Sequence, residues 1–560
     1  MKPFEIDLSY IRSKQVKPPV DVYTEPKVVC HAMDVHEYEM KEFDFLKDKK
    51  VLVVKQRGRI YALGNTCPHF NAPLVKGVLG DGHIRCPWHG ACFNLETGDI
   101  EDFPGINSLP RYKVEVERGG LVMIRAKVKD LQSSGCLQKM VKHNPENQLL
   151  YIIVGGGASA QMCAETLRKE GFTGRILMIC KESYLPYDRT ALTKDFGLSI
   201  SKIEFRSKEF YDEYNIEMLL NTEVVKANMD EKSITTSYDK RLNYDKMFIA
   251  TGGSARKLYV KGTDLKNVFT MRDFDDMVRI REALKDKNVV CVGSSYIILE
   301  IAQTLRSCSQ AKVTVVARSQ VPMLGAFGLR IGERILKLFR DNMITMLMNT
   351  TVVEIIGDSD GNIIQITLSD GQLLPCQALI IGIGMRCNTD FLIGSGLPIN
   401  ANGSIEADMY LKTFIDDVFV GGDVANAPVY SDNNRCSLIG HNQMAQYHGR
   451  IAAINMAGSR LVDLRSVPFY STRLFKHSFR SAGNGRYADL IIEGDLDNFD
   501  FVAYYLDDLD KVISVVACNR DPLISQFAEL RSQGRILRRD DLLDKKKPWT
   551  TRLKGPIKCY

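Results

Sequence analysis

Cys67 and His69, then Cys86 and His89, form the pattern C-x-H-x(16)-C-x-x-H within CPHFNAPLVKGVLGDGHIRCPWHG. Each of two loops thus offers one thiolate and one imidazole. Four such ligands hold zinc tetrahedrally, but structural zinc sites usually group a Cys pair and then a His pair. One of each from both loops suits a 2Fe–2S cluster in which two His replace two Cys on one iron. Gly77, Gly80, Gly82 and Gly90 allow the loop backbones to approach closely.

A second chemistry is written in YIIVGGGASAQMCAETLRKEG, where Gly155, Gly157 and Ala160 form G-x-G-x-x-A between an apolar run and a helical pattern. The first Gly permits a tight turn, the second lets a pyrophosphate approach the helix N-terminus, and the small third residue lets helix pack on strand. A related turn, VVCVGSSYIILEIAQTL, keeps Gly293 but has Ser295 and Ile298 where the second and third glycines belong. A Cβ at 295 is expected to crowd the pyrophosphate, and Ile298 to wedge helix from strand. KVTVVARSQ then ends in Arg318, where an acid would hold a 2′-hydroxyl. An Arg there suits a 2′-phosphate, so any preference leans to NADPH; the alternative is a plain surface Arg.

The elements that must position these residues change character along the chain. Residues 20–125 read as short β-runs broken by Gly and Pro, a small all-β module. The polar stretch 126–148 lacks an apolar period and reads as a linker. From 149 onward, two strand–turn–helix units recur, each with a later partner strand ending in glycines, FIATGG and IIGIG. Two doubly wound α/β (Rossmann-like) domains are predicted, one nested in the other: 149–270 with 385–460, and 271–384 between them. The tail, 465–550, reads as an α+β domain.

Composition sets bounds on function. At 560 residues the chain is multidomain, with 45% apolar and 25% charged residues, and the balance of 74 basic against 68 acidic groups gives +6. The charges are interspersed, so KDKK and DKKKP are read as solvated faces rather than a nucleic-acid surface. No apolar run approaches the roughly 18–20 residues of a spanning helix. Fourteen cysteines without a CxxC pair read as reduced thiols of an intracellular protein. Glu5 and Asp7 lie early in a start without an apolar core, which gives organelle import no support.

Four resemblances extend this reading. The two Cys–His loops, with CPWHG and Phe93, resemble the Rieske family; Ala72 and Trp88 stand where its high-potential members add a Cys pair, which implies a low-potential variant. The segment ESYLPYDRTALTK resembles E-x-x-x-P-Y-x-R-P-x-L-S-K of the ferredoxin reductases, a glutathione-reductase-type flavoprotein group. That implies FAD, with Glu182 at the adenosine ribose and Arg189 and Lys194 at the flavin, although Glu182 lies 27 residues past Gly155. ATGGSAR, with Thr251, Gly252 and Arg256, and DVFVGGDVA, with Gly422 and Asp423 on the ribityl chain, resemble two further flavin segments. Read without the resemblance, Asp423 is a helix N-cap.

Glu300 stands where that group keeps an acid facing the flavin, with Lys194 as its partner; the other reading is a solvent-exposed helix Glu. Gly384, at the end of IIGIG, belongs with Gly293 and Arg318 to the expected NAD(P)H site. Cys163 stands alone after the first helix, without the CxxxxC of the disulfide reductases. Asn442 and Ser471 replace aromatics that often flank the flavin.

From residue 20 to about 540 the order of modules resembles the apoptosis-inducing factor group in its Rieske-bearing branch. The resemblance implies a flavin-dependent oxidoreductase passing electrons from NAD(P)H through FAD to a 2Fe–2S cluster and on to an acceptor protein or small molecule. It allows a mitochondrial as well as a cytoplasmic location. The competing class is a non-catalytic, apoptosis-related signalling flavoprotein with structural FAD and a decayed nucleotide site.

Overall fold

The computed structural model describes residues 21–284, 287–308, 311–544 and 546–553. The early acids Glu5 and Asp7 and Lys545 of the second basic run lie outside them.

From Lys27 to Arg125 the chain is all β. Six strands, Lys27–His31, Glu39–Leu46, Lys49–Gln56, Arg59–Gly64, Arg111–Val116 and Leu121–Arg125, form an antiparallel sheet. Val51, Leu52, Val53 and Val54 of its third strand are all buried, because they pack on two separate clusters, one on each face. Four shorter strands, running from Val78–Leu79 to Ile100–Asp102, make a second sheet. The Cys86 loop joins two of these strands, and the Cys67 loop precedes them. Residues 126–148 are strapped on both sides: Cys136 bridges Ser108 of the all-β module, and Val141 N donates to Arg168 O of the α/β unit at 3.0 Å.

Strand Leu150–Val154 is central in a five-stranded parallel sheet, between Arg175–Ile179 and Lys246–Ile249, with Ile216–Leu219 and Val418–Val420 outermost. Tyr151 to Val154 are buried, as a parallel strand covered on both faces requires. The helix that follows, Ala158–Lys169, packs against Asn442–Ala457 so closely that a Cβ on Gly449 would lie 2.2 Å from Ser159 O. Between Ile249 and Val418 the chain builds a second parallel sheet around Asn288–Val292, flanked by Ala378–Ile381 and Lys312–Ala317. One α/β unit is therefore inserted in the other.

The sheet of the tail is antiparallel: Phe469–Leu474, His477–Gly483, Val512–Cys518, Asp500–Leu506 and Asp489–Asp495 in spatial order. Helix Leu523–Ser532 covers it through Ile524, Phe527, Ala528 and Leu530. No helix among the described residues is long and apolar enough to cross a membrane.

Candidate functional site

The two Cys–His loops share one backbone design. Cys67 N donates to Ala72 O at 2.9 Å and Asn71 N to Cys67 O at 2.8 Å; Cys86 N donates to Ala91 O at 2.8 Å and Gly90 N to Cys86 O at 3.3 Å. A left-handed residue closes each, Asn71 at φ 56° and Gly90 at φ 79°. Glycine is required at 90, since a Cβ would lie 2.7 Å from the Phe469 ring. This fold turns the amides of His69 and Phe70 toward the Cys67 sulfur, and those of Trp88 and His89 toward Cys86. The two thiols lie close enough to influence each other, which raises Cys67 and lowers Cys86.

The His69 and His89 rings meet edge-on at 4.9 Å. Burial pushes His69 down to about 4; burial, with His69, Arg480 and Lys194 nearby, pushes His89 down to about 3. Both imidazoles are thus neutral, and buried His69 Nδ1 has no hydrogen-bond partner among the described residues. Two adjacent sulfurs held by amides and two neutral imidazoles with a lone pair to give are a donor set that fits a 2Fe–2S cluster.

The first glycine turn also fits its group. Gly155 adopts φ 135°, and a Cβ there would lie 2.3 Å from Ala250 O. Gly157 precedes helix Ala158–Lys169, and a Cβ on it meets nothing within 4 Å, so the space over this helix N-terminus is open. Ser159 Oγ, buried beside it, has no partner among the described residues. Ala160 is fully buried under the strand. Such an N-terminus suits a pyrophosphate.

Thr251 and Gly422 lie beside this cradle: a Cβ on Gly155 would lie 3.4 Å from Thr251 N, and one on Gly422 3.2 Å from Ser159 Cβ. Glu182 accepts from Arg189 and, at 2.6 Å, from Tyr187 Oη. Thr251 Oγ1 donates to Asn388 O at 2.8 Å, and Arg256 Nε donates to Met385 O at 2.9 Å from an exposed position. Gly252, Gly384 and Gly422 all hold positive φ. Asp423 is no helix cap: it lies inside the 3-10 turn Gly422–Val424, and its carboxylate pairs with Arg272 at 3.1 Å.

Glu300 is buried, which removes the reading of a solvent-exposed helix Glu. Lys194 Nζ lies 2.9 Å from its Oε2, Thr193 Oγ1 donates to the same oxygen, and Thr472 Oγ1 donates to Oε1 at 2.7 Å. An aromatic wall stands nearby. Tyr470 stacks on Tyr296 with centroids 6.2 Å apart and meets the His441 ring at 4.4 Å. Burial pushes His441 down to about 4.

The second glycine turn corrects one expectation. Ile298 is fully buried but does not wedge helix from strand. It fills the space over Gly382, just past the partner strand Ala378–Ile381, where a Cβ would lie 2.4 Å from Ile298 Cγ1. The missing glycine at 298 is compensated by a glycine opposite. Gly293 keeps φ 124°, while Ser295 and Arg318 are exposed at the turn and at the end of the next strand.

The all-β module is docked on this assembly through buried charge. Arg206 joins Glu165 at 3.0 Å to Asn107 Oδ1 at 2.7 Å, and Arg450 reaches Asp99 at 3.1 Å. Gln443 Nε2 donates to Asp102 at 2.7 Å, and Asp102 pairs with Arg85 at 3.0 Å. Glu529 Oε2 accepts from Arg85 at 3.2 Å and His83 at 2.8 Å, and its Oε1 from Gln533 at 2.8 Å. His83, Cys92 and Glu529 lie close enough to group around a metal ion, but Arg85 and Gln533 also donate to the Glu529 carboxylate, which makes this an ion-pair lock.

Sequence reasoning missed Arg272, Tyr296, Tyr470, His441 and the docking groups. Only Tyr296, within the second glycine turn, carried a local signal.

Nested parallel sheets, a glycine cradle, a lysine–glutamate pair and a docked all-β module with two Cys–His loops define a flavin-dependent pyridine nucleotide oxidoreductase with a Rieske domain. Residues 150–453 match the family model described as pyridine nucleotide-disulphide oxidoreductase, and 25–113 the Rieske [2Fe-2S] domain. The cofactors are a 2Fe–2S cluster, FAD and NAD(P)H. The chain is 38% identical to apoptosis-inducing factor 3 of Mus musculus over 92% of its own length and 85% of the relative's. It belongs to that family. Its fold is similar to a ferredoxin reductase from Rhodopseudomonas palustris, at 22% identity and TM-score 0.67 over 72% of this chain and 100% of that one. It is also similar to a chain of the covalent putidaredoxin reductase–putidaredoxin complex, at 23% identity and TM-score 0.68 over 73% and 98%.

Proposed function

We propose that this oxidoreductase takes electrons from NAD(P)H and delivers them singly, through its own Rieske module, to an acceptor protein or small molecule. When bound, FAD supplies the two-to-one electron conversion and the cluster the one-electron relay. In this reading Cys67, His69, Cys86 and His89 hold the cluster. Gly155, Gly157 and Ala160 seat the FAD pyrophosphate, Glu182 the ribose, and Arg189, Thr251, Gly252, Arg256, Gly422 and Asp423 the rest of the molecule. Gly293, Gly384 and Arg318 receive the nicotinamide nucleotide. Lys194 and Glu300 orient the nicotinamide and settle charge at the flavin.

The observation that carries the reading is that one strand touches both centres: Phe469 of Phe469–Leu474 packs on Gly90, next to His89, so closely that a Cβ there would lie 2.7 Å from its ring, and Thr472 of the same strand donates to Glu300 at 2.7 Å. One solved relative is a covalent complex of putidaredoxin reductase with putidaredoxin; here the one-electron partner is part of the chain and is locked by buried charge. The signalling alternative draws on Ser295 and the departed glycine at 298. The seat that Gly382 provides for Ile298, and the burial of Glu300, favour the enzyme. Anaerobic mixing with NADPH tests this: flavin bleaching is expected, and a flavin that dithionite bleaches but neither nucleotide does would overturn it.

A further inference from the structure

The C-terminal domain places a cation against the second Cys–His loop. Arg480 rises from strand His477–Gly483 with its side chain 10% exposed. Its Nε donates to the carbonyl of Trp88, the residue immediately before His89, and its Nη1 pairs with Asp521 Oδ1 at 2.9 Å. Ser525 Oγ donates to Cys86 O at 2.8 Å from the same domain. Through Trp88 the cation lies against the loop one residue from His89 and two from Cys86.

We propose that Arg480 raises the reduction potential of the Rieske cluster and that Asp521 damps it, so the C-terminal domain tunes a centre held by the N-terminal one. Reduction adds one negative charge to the cluster. A fixed cation beside it, in a buried setting where charges are weakly screened, favours the reduced state. The anion paired with that cation opposes it. Ala72 and Trp88 supply no cysteine support to the loops, so this electrostatic support comes from another domain. Arg480 acts through the protein's field and the Trp88 carbonyl, as a tuning residue.

The test is a mediator-assisted dithionite titration of full-length protein, followed by EPR, comparing wild type with Arg480→Gln, Arg480→Lys and Asp521→Asn. Arg480→Gln should lower the reduced-to-oxidised ratio about tenfold at fixed ambient potential, a fall of about 59 mV for a one-electron couple. Arg480→Lys should keep most of the wild-type value, and Asp521→Asn should shift it upward. The g-values should stay those of a His-ligated cluster. Shifts of the same sign in Arg480→Gln and Asp521→Asn, or none in either, would overturn the proposal. Should Arg480→Gln not fold, Asp521→Asn decides alone: a rise supports the proposal, and a fall or no change sinks it. Dithionite supplies the electrons, so the outcome does not depend on NAD(P)H reaching the flavin.

Discussion

Lys194 Nζ and Glu300 Oε2 lie 2.9 Å apart although 106 residues separate them in the chain. The lysine comes from the segment following the first α/β unit's second strand and the glutamate from the inserted unit's helix Tyr296–Cys308; Thr472 of the C-terminal sheet donates to the second carboxylate oxygen. Three domains thus meet at one carboxylate. Glu300→Gln should slow flavin reduction by NADPH at least about tenfold, which is about 1.4 kcal/mol in the barrier, and change NADPH affinity less than about threefold. Stopped-flow absorbance gives both quantities. A pure loss of affinity would place the pair in binding alone.

The two cofactor sites should fail independently. His69→Ala or His89→Ala should lose iron and acid-labile sulfide while flavin stays bound. Gly157→Val should do the reverse, because its side chain would enter the open space over the helix N-terminus. Metal and flavin analysis of the purified variants checks both. Full flavin occupancy in Gly157→Val would mean that the wrong cradle was chosen.

The second turn separates its two departures from the glycine pattern. Ser295 is exposed, so Ser295→Gly should tighten NADPH binding by roughly threefold to tenfold, up to about 1.4 kcal/mol. Ile298→Gly should instead leave a cavity over Gly382 and cost roughly 2–5 kcal/mol of stability. Denaturant unfolding with nucleotide titration distinguishes them; a stable Ile298→Gly protein would show that the Ile298–Gly382 contact does not matter.

Glu529 closes the Rieske dock. Burial alone would raise its carboxyl, but His83 and Arg85 hold it far below the usual range. A carboxyl depressed on folding stabilises above its unfolded value, near 4.5, and loses that contribution as pH falls through the folded value. His83 is raised, so its share is present below 6.5 and fades only as pH climbs through its higher folded value. The lock therefore stands at neutral pH and fails in acid. Glu529→Gln should cost about 3–5 kcal/mol at pH 7, since His83 loses its anion and buried Arg85 is left with Asp102 alone. The loss should shrink in acid, which unfolding at several pH values would reveal.

What could be read in the sequence was whatever sits within one loop or one turn. The Cys–His pairs and Gly155 with Gly157 announce themselves because a ligand loop or a helix N-terminus is built from adjacent residues. Lys194 and Glu300 came through motif positions, one from each α/β unit. Gly382 under Ile298, Arg272 on Asp423 and Arg480 on Trp88 were illegible, since each contact joins segments far apart in the chain and leaves no local pattern. The Ile298 wedge was the wrong expectation for the same reason: its compensation lies just past another strand.

The most direct test is an anaerobic titration of the full-length protein with NADPH, and then NADH, watching flavin absorbance and cluster EPR together. Flavin should bleach first and the reduced-cluster signal should follow without any added carrier, with NADPH at least as effective as NADH because Arg318 can pair with a 2′-phosphate. A flavin that bleaches fully while the cluster stays EPR-silent, though dithionite reduces it, would contradict electron delivery through the docked Rieske module.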